Sequence, residues 1–125
     1  MKKLMKTVSV LLLCSFVSFG LHAEDSQKSE QLFASKIKVG VKLADTERYQ
    51  EAYQVFYDLF REQKQKDNEK AYLSLFFACK ALERMDQPDR AEKLLKQHEK
   101  GSPSSMRSDF FALGQELKVN RLALR

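Results

Sequence analysis

From Glu24 onward the apolar residues recur at spacings of three and four, the period that gathers them on one face of an α-helix. No stretch reads as a strand. The β-branched residues in this part of the chain are few (Ile37, Val39, Val41, Thr46, Val55, Val119), whereas Ala, Leu, Lys, Glu and Gln dominate, and these are good helix formers. The pattern predicts an all-α protein.

Five helices follow from the apolar faces and the stop signals. The first is expected over about Ser29 to Ala44, with Leu32, Phe33, Ile37, Val39 or Gly40, and Leu43 inward, stopping near Asp45-Thr46. The second starts near Glu47, carries Tyr49, Ala52, Val55, Phe56, Leu59 and Phe60, and fades into the polar run REQKQKDNEK, residues 61–70. Asn68 is the expected cap of a third helix over Glu69 to about Met85, since its side chain can accept a hydrogen bond from a free N–H of the first turn. The inward set there is Tyr72, Leu75, Phe76, Cys79 and Leu82. Asp86 marks the next start, with Pro88 tolerated in a first turn where its missing N–H has no partner. That fourth helix holds Ala91, Leu94, Leu95 and His98 and is expected to end at Gly101 in a left-handed turn. Ser102-Pro103 starts a fifth, with Phe110, Leu113, Leu117 and then Leu122 and Leu124 on its inner face.

The first residues have another layout. Lys2, Lys3 and Lys6 precede the apolar run VSVLLLCSFVSFG, residues 8–20, which matches a secretory signal and is short of the about 20 apolar residues of a membrane span. Cleavage is placed after Ala23, giving a signal over residues 1–23 and one domain over 24–125; retention as an anchor is the alternative. Leu13 before Cys14 argues against lipidation. Without the signal the formal net charge falls from +5 to +2, too balanced for a nucleic-acid binder. Cys14 leaves as well, so Cys79 has no partner for an internal disulfide. The expected location is periplasmic or secreted, with no stable membrane insertion.

Within the pairs, Gly40, Leu43, Tyr49, Ala52 and Phe56 stand at the same mutual spacings as Cys79, Leu82, Pro88, Ala91 and Leu95. This resembles the tetratricopeptide repeat, a helix-turn-helix unit with small residues where its helices approach closely and a Pro near its end. Gly40 and Cys79 then occupy the small position of each first helix, Ala52 and Ala91 that of each second helix, and Phe56 and Leu95 the bulky position beyond. Pro103 stands at the closing Pro, and the offset is 39 residues where the family has about 34. The resemblance implies antiparallel hairpins stacked as a short solenoid, with Phe110, Leu113 and Leu117 on a C-terminal capping helix. A plain bundle of helical hairpins is the other arrangement with these periodicities.

The chemistry-bearing residues have bland readings. His98 is expected as a packed or rim residue, and Cys79 as a small hydrophobe. One His and one Cys supply no zinc shell, and no carboxylate cluster has ligand spacing, so no metal, no cofactor and no catalytic residue is expected. The aromatic density of Tyr49 to Phe60 fits a central helix packed on two sides, or else Tyr53, Tyr57 or Phe77 lines a recognition surface. By the family resemblance a concave groove lined by the first helix of each unit receives a peptide. It would include Ile37, Val41, Ala44 and Asp45, with Leu73, Phe76, Lys80, Glu83 and Arg84. The expectation is a non-enzymatic module binding an unidentified protein or peptide; the alternative is a helical bundle carrying an apolar ligand among Phe56, Phe60, Phe76 and Phe110.

Overall fold

In the computed structural model residues 21–124 are described, with side chains from residue 27. The lysines and the apolar run of the expected signal lie outside the described residues, while Leu21, His22 and Ala23 fall in the first helix. That helix, α1, is Leu21–Asp45. It is followed by α2 (Tyr49–Gln63), α3 (Asn68–Arg84), α4 (Pro88–His98) and α5 (Arg107–Ala123), with 3₁₀ turns at Glu99–Gly101 and Ser104–Met106. No strand occurs among the described residues. None of their helices is long and apolar enough to cross a membrane.

The chain divides into two compact units between Ala34 and Ser35. The described part of the first is the N-terminal portion of α1, where Phe33 is buried and Leu32, expected inward, is exposed. In the second unit, Gly40 rather than Val39 takes the inner position of α1. A Cβ on Gly40 would stand 2.5 Å from Phe56 Cε1, so α2 lies against bare α1 backbone. Phe56, Leu59 and Phe60 of α2, Tyr72, Leu75, Cys79 and Leu82 of α3, Ala91, Leu94 and Leu95 of α4, and Phe110, Leu113 and Leu117 of α5 are all buried. The helices pack in chain order, α2 on α3, α3 on α4 and α4 on α5.

The turns closing the two hairpins repeat. After α1, Glu47 adopts φ 65°, and after α3, 39 residues later, Asp86 adopts φ 58°. Glu47 N–H donates to the Ala44 carbonyl and Arg48 N–H to that of Leu43; Asp86 N–H donates to Glu83 and Gln87 N–H to Leu82 in the same way. Each is a Schellman ending, in which a left-handed residue lets the chain satisfy the helix's last carbonyls and reverse. Asp86 therefore terminates α3 and does not start α4, which begins with Pro88 in its first turn after Gln87.

Two other end signals differ from expectation. Asp67, not Asn68, caps α3, its carboxylate accepting from Lys70 N–H at 3.2 Å; Asn68 instead donates across to the Gly101 carbonyl. Gly101 is not left-handed. α4 ends at His98 in a 3₁₀ turn, and glycine is required at 101 because the Tyr72 hydroxyl, donating to the His98 carbonyl at 2.6 Å, fills the space of its Cβ. α5 consequently starts at Arg107, later than Ser102-Pro103 suggested, and Pro103 lies half-buried between the two 3₁₀ turns. Leu122 and Leu124, read as inner residues of α5, are exposed.

Candidate functional site

α1 and α3 both present residues to one cleft of about 240 Å³, floored by the α2 side chains Tyr49 and Phe56. Val41, Ala44 and Asp45 enter it from α1; Phe76, Phe77, Lys80, Ala81 and Arg84 enter it from α3. These positions share a face because residues three and four apart on a helix lie above one another. Phe77 stacks on Phe56 with ring centroids 5.1 Å apart, and Phe76 packs edge-on against Phe110 at 6.0 Å. The floor is thus made of fixed rings, and its rim carries charge.

The rim charges differ in their freedom. Lys80 Nζ donates to Glu83 Oε1 at 3.1 Å and to Glu116 Oε2 of α5 at 2.9 Å. Asn120 donates to the other Glu83 oxygen at 2.7 Å. Partial burial works against the Lys80 charge, but the bonds to Glu116 and Glu83 outweigh it and hold its pKa above the ordinary 10.5. The Lys80 hydrogen bond likewise holds Glu116 below 4.5. Lys80 is therefore compensated within the fold. The Arg84 and Asp45 side chains are exposed at the rim and form no ion pair within 4 Å among the described residues, although the Arg84 charge also helps to lower the pKa of Glu116.

Of the groove residues read from the sequence, Val41, Asp45, Phe76, Lys80 and Arg84 come together here with Ala44. Ile37 and Leu73 do not line the cleft: Ile37 packs half-buried on the core and Leu73 is exposed. Tyr49 and Phe56, assigned to packing by periodicity, reach the cleft floor, since it is open above the interhelix seam. Phe77 lines it as well, while Tyr53 and Tyr57 do not; those two rings stack on each other at 5.7 Å, with the Arg90 guanidinium 5.4 Å from Tyr53. The role of Glu116 in holding Lys80 had no signal in the sequence, because it depends on how α5 lies across α3.

The remaining reactive groups are tied into packing. Cys79 is fully buried, and its Sγ lies 3.7 Å from the Ala91 carbonyl at the closest approach of α3 and α4. Burial first, then nearby Glu83, pushes the thiol up to about 12, which keeps it protonated at neutral pH. His98 sets its ring edge-on to Phe60, centroids 4.7 Å apart; burial, then the Lys64 charge, lowers its pKa below the ordinary 6.5. No group of three or more metal-ligating side chains is gathered among the described residues. Comparison with protein-family models, curated proteins and solved structures returns no match to this chain.

Proposed function

We propose that the chain is a protein-interaction module of tetratricopeptide-like design that receives a peptide in the cleft between α1 and α3, acting after export in the periplasm or outside the cell. The observation that carries this reading is the cleft itself: the apolar rings of Phe56, Phe76 and Phe77 beside the exposed charges of Arg84 and Asp45. The identical Schellman turns 39 residues apart support a repeated hairpin, and the cleft is lined chiefly by the first helix of each hairpin, where the family resemblance puts a ligand groove. Aromatic rings give a ligand large contact area at low entropic cost, and exposed charges at the rim steer its direction. Lys80, bound on two sides, shapes the wall. A carrier of apolar ligands is less favoured, because Phe76 packs on Phe110, and Phe60 is covered by Tyr72 and His98.

Selection of random displayed peptides on the immobilised chain tests the proposal, with fluorescence polarisation of the enriched peptides on wild type, Phe77→Ala and Arg84→Glu. The expected result is a weakening of about tenfold or more for each variant. Peptides that bind both variants as well as the parent would place the binding surface elsewhere.

A further inference from the structure

The face of α5 that points away from the core is apolar where solvent-facing helix is ordinarily charged. Phe110, Leu113 and Leu117 turn inward and are buried. On the opposite side Ser108, Phe111, Ala112, Gln115, Val119 and Leu122 form one exposed stripe with no charged residue in it. Phe111 is 67% exposed, Val119 63% and Leu122 56%. The stripe has edges of opposite sign. At 100° per residue, Arg107 and Lys118 fall along one border, and Asp109 and Glu116 along the other. All four are exposed. The side chain of Glu116 keeps 47% exposure while it holds Lys80.

This arrangement is complementary to itself in one orientation. When two copies of a helix lie parallel about a two-fold axis, each border of one meets the opposite border of the other. Arg107 then stands near Asp109 of the second copy and Lys118 near Glu116, both pairs offset by two residues along the helix. In an antiparallel pair like borders meet, setting Arg107 against Lys118 and Asp109 against Glu116, which is repulsive. We infer that α5 is a self-association surface: the protein forms a homodimer by pairing this stripe with that of a second copy, parallel and in register. The 17-residue helix is about 25 Å long. One helix face of that length makes a small interface, so the association is weak and reversible, on the order of micromolar.

Sedimentation velocity on the full chain, in a Cys14→Ser background, reads the association directly. The expected result is a concentration-dependent monomer–dimer equilibrium that Phe111→Glu weakens about thirtyfold or more, with unchanged circular dichroism because Phe111 makes no part of the core. Orientation is read by a second variant. Ser108→Cys faces its own copy only in the parallel pair and should oxidise to a covalent dimer much faster than Gln97→Cys, an exposed site on α4; Cys79 is buried and does not compete. A chain that stays monomeric up to several hundred micromolar overturns the inference. So does a dimer indifferent to Phe111→Glu, or a Ser108→Cys chain that crosslinks no faster than Gln97→Cys.

Discussion

The two hairpins turn in the same way and are buried in different ways. α1–α2 and α3–α4 end their first helices with the same hydrogen bonds around a left-handed residue, Glu47 in one and Asp86 in the other. Yet α3 is buried over about half of its circumference, with Ala71, Tyr72, Ser74, Leu75, Ala78, Cys79, Ala81 and Leu82 inside, whereas Val39, Val41 and Lys42 of α1 are exposed. The first pair closes on Gly40 against Phe56, and the second on Cys79 against the Ala91 backbone. Where α3 packs closely it carries small residues, Ala71, Ala78, Cys79 and Ala81, all of them buried. The outer positions of α1 stay exposed, Val39 among them. The cleft opens on the less covered of the two first helices.

Five substitutions test how far that contrast extends. The largest effect is expected from Phe60→Ala, because this α2 ring touches Tyr72 of α3 and His98 of α4 and so joins the hairpins; urea denaturation should show a loss of about 3–5 kcal/mol. Gly40→Ala comes next. Overpacking against Phe56 costs about 1–3 kcal/mol, partly offset by a gain of about 1 kcal/mol in helix propensity. A parent-like midpoint would mean that α1 and α2 have room to separate, unlike α3 and α4.

Smaller effects separate the two turns. Glu47→Gly should stabilise by about 0.5–1 kcal/mol, since glycine enters the left-handed region without steric cost. Asp86→Gly should gain less, Asp being better tolerated there than Glu. Equal shifts in Tm would show that the turns are not strained differently. The smallest effect is a pH dependence. His98 has a lowered pKa in the folded protein, so the unfolded chain binds its proton first and stability falls as pH drops from about 6.5 through the depressed folded value. Its contribution is complete above that window. His98→Gln should flatten the stability profile between pH 7 and 5, measured by thermal denaturation; an unchanged slope would assign the dependence to other groups.

Much of the fold was legible because it is local. Spacings of three and four among Phe56, Leu59 and Phe60, or Leu75, Cys79 and Leu82, are properties of single helices, and all six residues are buried. Val41, Asp45, Phe76, Lys80 and Arg84, expected together through the family resemblance, line one cleft, whereas Ile37 and Leu73, expected with them, do not. What escaped depends on a second element. The choice of Asp67 over Asn68 as cap turns on which side chain is drawn away, and Asn68 is drawn to Gly101 by the end of α4. Gly101 looked like a left-handed stop, but its reason is the hydroxyl of Tyr72, 29 residues earlier in the chain. Leu122 fits an inner helical position by hydrophobicity alone, yet it is more than half exposed.

By itself, then, the order of residues determined the helical class, the five segments and the small residues at which neighbouring helices meet, since these follow from side-chain periodicity and volume within a few turns. Only the tertiary structure decided that Lys80 is held by Glu116, that Arg84 and Asp45 stand exposed at the cleft rim, and that the outer stripe of α5 remains uncovered. Those outcomes rest on distances between segments tens of residues apart, and such distances are set by the packing of whole helices against one another.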